Sequence, residues 1–158
     1  MAADYSGAVG AIRNKFVAEW ISAPATPRSR IAFVNEPHGV PWPPKLDNGK
    51  LAPWVLLEIA SLPRARTYPG RPGGRTVLYE GHIYTHVYVP IGAGTEQAIE
   101  LAVLGGEIFR DQVFYRDVTP GCYVRTGTPA IAGGEAGDDE NQWYRVSAAT
   151  PFEYWHRG

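Results

Sequence analysis

Apolar residues recur every three or four positions near the start of the chain. Val9, Ile12 and Phe16 follow this spacing, which predicts an amphipathic helix over residues 5–21. Ser6 is the predicted N-cap, since its hydroxyl suits the first unpaired amides of a helix. The prolines that follow predict the end of the helix, because proline cannot donate to a helical ladder.

Shorter apolar segments follow, and they predict strands. These cover residues 30–36, 54–60, 77–89, 121–126 and 143–155. The five prolines of residues 37–53 predict irregular structure between the first two strands. Pro151 lies inside the last strand and predicts a sheet edge or a bulge there.

The strand at residues 77–89 has two different faces. One parity is aliphatic, and the other carries His82, Tyr84, His86 and Tyr88. A face directed only at water would favour Lys, Thr or Glu, so we expect these four side chains to pack against another element or another subunit.

Gly92 and Gly94 predict a tight turn after this strand. Thr95 is the predicted cap of a second helix that runs to about Val113, with a weak point at its two adjacent glycines. The turn lacks the third glycine of a dinucleotide site and the lysine of a phosphate loop. Together the elements predict one α+β domain over residues 1–158: a mixed or mostly antiparallel sheet of about five strands, with an N-terminal and a central helix packed on it.

Two segments of opposite charge lie outside these predicted elements. A basic, mobile loop is predicted around Arg64, Arg66, Arg71 and Arg75, which could hold phosphates or single-stranded nucleic acid, or be a solvated connection. An acidic loop is predicted around Glu135, Asp138, Asp139 and Glu140. Its spacing lacks the calcium pattern of an EF-hand and favours a solvated loop.

Composition narrows the classes of function. The 158 residues are 44% apolar and carry a net charge of -1, which does not favour nucleic acid or an anionic membrane as a partner. Cys122 is the single cysteine, so no intrachain disulfide can form. No apolar stretch resembles a signal peptide or a membrane span, and we expect a soluble, unprocessed protein.

The histidine spacing H-x-x-x-H at His82 and His86 raises the question of a metal site. On a helix these side chains would be neighbours, but on a strand their Cα atoms stand roughly 13 Å apart. We therefore predict no metal site and no cofactor. Cys122 has no base beside it in sequence, and no nucleophile lies in a recognisable turn, so no catalytic residues are predicted.

Several short motifs resemble a known family when they are taken in order. An N-terminal helix ending in Ala18-Glu-Trp20 precedes Phe33-Val-Asn-Glu-Pro37, Pro53-Trp-Val55 and Tyr79-Glu-Gly-His-Ile83, and the chain closes on Trp143-Tyr144 and Pro151-Phe-Glu-Tyr154. This order resembles the tail terminator proteins of long-tailed bacteriophages, which also occur in prophages and gene transfer agents.

The resemblance implies a structural protein of the virion tail rather than an enzyme. Such proteins form a hexameric ring on the end of the tail tube, stop tube growth and offer a docking surface to head-completion proteins. The implied partners are copies of the chain itself, the tube protein and a head-completion or connector protein, with DNA only as cargo. We expect the charged segments and the row from His82 to Tyr88 to form subunit or tube contacts.

Two other classes remain open at this stage. One is a different head-tail joining protein or a tube subunit, which can share this order of elements. The other is a small-ligand module or an enzyme, favoured if a pocket brings His38, His86 or Cys122 together with a carboxylate.

Overall fold

The structure is a computed structural model that describes residues 2–22, 24–136 and 142–158. Its elements, in chain order, are α1 Tyr5–Glu19, β1 Ile21–Ser22, β2 Thr26–Pro27, β3 Arg30–Phe33, β4 Trp54–Thr67, β5 Thr76–Pro90, α2 Glu96–Phe109, β6 Val113–Phe114, β7 Tyr123–Thr126, β8 Ala130–Ala136 and β9 Trp143–Arg157. The α+β class and both predicted helices are confirmed.

The main sheet is larger than predicted. Within the described residues it has seven strands in the order β3-β4-β5-β9-β7-β6, and β8 also pairs with β9. The pair β3 and β4 is parallel and the other pairs are antiparallel, so the sheet is mixed. The strands β1 and β2 form a separate small ribbon. The prediction of about five strands was too low because it treated β8 as loop and did not anticipate the two-residue strands.

Both helices pack on one face of the main sheet. Their buried residues meet the aliphatic parity of β5 and the inner positions of β9 in one core, which includes Ile12, Phe16, Ala102, Phe109, Ile83, Val87, Phe152 and Tyr154. The predicted division of β5 into two faces is thereby confirmed. We call the side of the sheet away from the helices the open face.

The start of α1 and the end of α2 differ from the sequence predictions. The N-cap of α1 is Asp4 and not Ser6, because the Asp4 carboxylate accepts a 2.6 Å hydrogen bond from the Gly7 N–H. The second helix, α2, ends at Phe109, four residues before the predicted end at Val113. Thr126 stops the helix there, since its hydroxyl donates to the Phe109 carbonyl and accepts from the Gln112 N–H.

Within the described residues, each charged segment lies partly on a strand, where the sequence predicted a loop. Arg64 and Arg66 lie on β4, which continues seven residues beyond the predicted end at residue 60, and only residues 68–75 turn back into β5. Glu135 lies on β8, which pairs with β9. Composition misled the prediction in both places, because proline and glycine on edge strands resemble a loop when read without their pairing partners.

Pro151 lies inside the sheet rather than at an edge or a bulge. Its carbonyl accepts a hydrogen bond from the Gly127 N–H on the side of β9 that pairs with β7 and β8. The proline nitrogen faces this side too. Residue 151 lies at the gap between β7 and β8, which both pair with this side of β9. No strand there requires an N–H from residue 151, and the missing donor is tolerated. None of the described helices is both long and apolar enough to span a bilayer.

Candidate functional site

The predicted row on β5 lies on the open face as a line of adjacent rings. His82 is exposed, Tyr84 and His86 are half-buried, and Tyr88 is buried. Ring centroids are 5.9 Å apart between His82 and Tyr84 and 5.4 Å apart between Tyr84 and His86. The line therefore grades from a solvent-facing end to a buried end.

The buried end of the row belongs to a second aromatic cluster. The Tyr88 ring stacks on Trp54 with centroids 4.1 Å apart, and Trp42 and Trp143 meet Trp54 edge-on. Trp42 comes from the proline-rich segment 34–53, which thus covers this end of the open face. His38 stacks on Trp42 at 4.2 Å. Ring packing, rather than a carboxylate, surrounds His38.

His86 joins three strands through its ring nitrogens. Nε2 lies 2.7 Å from the Glu58 carboxylate on β4, and Nδ1 lies 2.6 Å from the Ser147 hydroxyl on β9. An ionised carboxylate only accepts, so a neutral His86 donates from Nε2 and accepts from Ser147 at Nδ1. The result is a hydroxyl, an imidazole and a carboxylate in one hydrogen-bonded chain.

This chain has the order of a nucleophile, a base and an orienting acid. It lies, however, in the middle of the sheet, where Ser147 has β5 on one side and β8 on the other. The paired peptide N–H groups of Ser147 and its neighbours point into these two ladders and not towards the Ser147 hydroxyl, where an oxyanion would need donors. The geometry fits a polar clasp across three strands.

Cys122 lies far from His86. Its buried thiol accepts from the Arg157 N–H at 3.3 Å and lies 3.9 Å from Nδ1 of His156. His156 pairs with Val77, nine residues from His86 along β5, which corresponds to about 30 Å. Of the three candidate residues, His86 therefore lies beside a carboxylate, that of Glu58, and Cys122 is not part of that group. Among the described residues, no three His, Cys, Asp or Glu side chains cluster closely enough to hold a metal ion.

Beside Cys122, burial changes the acidity of a tyrosine. Tyr154 is 0% exposed, and its hydroxyl lies 3.1 Å from Nδ1 of His156. Burial, and then the nearby Cys122 thiol, raise the pKa of Tyr154 well above its usual range. The folded protein therefore favours the protonated phenol over the phenolate.

The basic residues line one hairpin, which we call the arm (residues 62–75). Arg64 and Arg66 project from β4, and Arg71 and Arg75 lie at the turn. All four are exposed. Arg66 makes one ion pair, with 3.3 Å between its Nε and a Glu80 oxygen, and Arg75 donates to the Gly70 carbonyl. The arm carries four positive charges and no carboxylate of its own.

Glu135, the described residue of the acidic segment, lies on the opposite edge of the sheet. Glu135 forms an ion pair with Arg145 of β9, and this hydrogen bond is the main cause that raises the pKa of Arg145. Asp138, Asp139 and Glu140 lie outside the described residues. The strands β5 and β9 separate β8 from β4, so Glu135 and the arm do not meet within one subunit.

Sequence reasoning missed the partners of the predicted row. Glu58, Ser147 and Trp54 come from neighbouring strands, and only the strand register places them beside His86 and Tyr88. A second aromatic group on the open face, Tyr68, Trp155 and Tyr123, was also missed. Its members come from the arm, β9 and β7, so no single stretch of the sequence shows the group.

Comparisons with known proteins support the fold and add no function. No family model matches the chain, and no curated protein matches it. Three solved chains match. One of them, whose name states no function, is 18% identical, with 96% of each chain covered and a TM-score of 0.58. At this level of identity the likeness shows a shared fold alone.

Proposed function

We propose that this protein is a tail terminator: a structural virion protein that forms a ring of six subunits on the head-proximal end of a phage-type tail tube. The ring ends tube polymerisation and receives the head-completion protein. The chain has no catalytic role in this proposal. It assembles in the host cytoplasm and remains in the virion.

One observation carries the proposal beyond the sequence resemblance. A ring closed by head-to-tail contacts needs two different, complementary patches on each subunit. The exposed arginines of the arm lie on one edge of the sheet, and Glu135 of β8, which pairs with Arg145 of its own subunit, lies on the opposite edge. Two such patches on opposite edges support a head-to-tail ring better than a symmetric dimer, in which one patch meets itself.

Opposite charges at these patches set orientation and encounter rate more than affinity. The double substitutions Arg64→Ser with Arg66→Ser and Arg71→Ser with Arg75→Ser each remove two charges from the arm. We expect each of them, and the quadruple variant more strongly, to slow ring assembly and to lengthen tails, measured by native mass spectrometry and electron microscopy.

The matched control is Arg28→Ser with Arg116→Ser, which removes two exposed arginines outside the arm. We expect this variant to assemble normally. Rings and tail lengths that are unchanged in the quadruple arm variant would contradict a role for the arm in assembly.

A tube subunit or another head-tail joining protein is the nearest rival. The purified protein distinguishes them, because a tube subunit polymerises into long tubes whereas a terminator stops at one ring. Long tubes from this chain alone would replace the proposal with the rival.

The clasp of Ser147, His86 and Glu58 favours a second candidate, a serine hydrolase. Because the paired peptide N–H groups point into the sheet, the serine should not react. We therefore expect no labelling by a fluorophosphonate probe, read by mass spectrometry of the intact chain. Labelling that disappears in Ser147→Ala would show a reactive serine and contradict the purely structural role.

A further inference from the structure

The main sheet has two free edges within the described residues. Beyond Leu57, where its pairing with β3 ends, β4 has β5 on one side and no strand on the other. The strand β8 has β9 on one side only. A free edge presents a row of unpaired N–H and C=O groups that can pair with another strand.

The edge at β8 has little protection against such pairing. Its sequence AIAGGEA contains no proline and no basic residue, all seven residues are exposed, and Ile131 is 41% exposed. Protein edges that must remain single usually carry lysine, proline or inward-facing charge. The bulge between Gly133 and Glu135 interrupts the strand, so the regular part of this edge comprises residues 130–132.

The edge at β4 is blocked in one part and open in another. A bulge between Ser61 and Ala65, together with the missing N–H of Pro63, prevents regular pairing there. Regular pairing with β5 resumes at Ala65, Arg66 and Thr67, which face Tyr79, Leu78 and Val77. The outer side of this three-residue stretch is free and lies next to Arg64.

A second copy of the chain fits both edges. Within one subunit β4 cannot reach β8, because β5 and β9 lie between them. The three successive antiparallel pairs from β4 to β8 make these two strands run in opposite directions. A rotation about an axis along the strands preserves those directions, so neighbouring copies would meet as an antiparallel pair. Arg64 precedes the paired stretch of β4 and Glu135 follows that of β8, so these two charges would lie at the same end of the pair.

We propose that the 65–67 edge of β4 in one copy pairs with the 130–132 edge of β8 in the next copy, which extends the sheet from subunit to subunit. The inference rests on the proposed ring and names the contact that closes it. Backbone hydrogen bonds supply the register, and the opposite charges select the head-to-tail orientation over pairing of β8 with itself.

Site-directed cross-linking tests this contact. Ala65→Cys and Ala132→Cys replace exposed alanines on the two edges, and the buried Cys122 serves as an internal background. A bismaleimide that spans about 8 Å covers directly opposite and diagonal neighbours of an antiparallel pair. We expect dimers when the two single variants are mixed, no dimers from either variant alone, and a ladder up to the closed ring from the double variant.

A mixture of Ala65→Cys with Ala93→Cys, an exposed alanine away from both edges, is the matched control and should give no dimers. Dimers of Ala132→Cys alone would indicate β8 paired with itself and overturn the proposal. Rings seen by electron microscopy without cross-links in the mixture would also overturn it, while the proposed terminator function would stand. If the chain forms no ring and does not change tail length, both the proposed strand contact and the proposed terminator function are contradicted.

Discussion

Gly105 lies where α2 crosses β5, and close packing explains why a glycine stands there. A Cβ added at Gly105 would lie 2.6 Å from Cγ2 of Thr85. The sequence presents the same glycine as a weak point of the helix, since glycine is a poor helix former. The close approach to Thr85 gives the glycine a stabilising role instead, because a residue without a side chain lets α2 lie directly against β5.

Gly105→Ala should therefore destabilise the protein despite the better helix propensity of alanine. We expect a loss of about 1–3 kcal/mol in the free energy of unfolding, the usual cost of overpacking a core. Gly10→Ala in α1 is the control, since a Cβ there meets nothing within 4 Å. That variant should gain up to about 1 kcal/mol. Urea unfolding of both variants measures the difference, and equal effects would contradict the close approach.

The raised pKa of Tyr154 predicts that the free energy of unfolding falls at alkaline pH. Its pKa is raised in the folded state, so the unfolded chain releases this proton first as the pH rises. The stabilising contribution is complete below the ordinary tyrosine pKa of about 10 and is lost as the pH rises above it.

Tyr154→Phe should flatten this alkaline loss, although it removes the hydrogen bond to His156 and costs about 1 kcal/mol near neutral pH. Unfolding free energies measured from neutral pH to beyond the ordinary tyrosine pKa give the slope. Tyr68→Phe, at a tyrosine that is 40% exposed, is the control. An unchanged slope in Tyr154→Phe would show that this phenol is not responsible.

At the scale of elements, the cap of α1 separates two sequence interpretations. The Asp4 carboxylate accepts a hydrogen bond from the Gly7 N–H, whereas Ser6 lies within the first turn of the helix. Asp4→Ala should lower the free energy of unfolding by about 1 kcal/mol. Ser6→Ala should be nearly neutral, because alanine favours the helix interior. Thermal unfolding of the two variants tests this, and a larger loss from Ser6→Ala would restore the original N-cap assignment.

The sequence predicts elements well where periodicity is long. The two helices, the two faces of β5 and the last strand follow from spacing alone, because one side of each must be buried. The arm and β8 could not be predicted in this way, since an exposed edge strand has no buried face to impose a period. The clasp at His86 depends on register across three strands, which a single sequence does not contain.

At the scale of the molecule, the two free edges and their charges make the subunit asymmetric. The arm is basic, β8 carries Glu135, and the acids at positions 138–140 follow it in sequence. Contacts between exposed charges weaken as salt screens them. We expect the rate of ring assembly to fall between low and physiological ionic strength, measured by light scattering. A rate independent of salt would contradict charge-guided orientation.

Electron microscopy of tails assembled with and without this protein tests the central claim most directly. The proposed function predicts tails of uniform length that end in a single ring when the protein is present, and overlong tubes without that ring when it is absent. Normal, capped tails in its absence would contradict the assignment as a tail terminator.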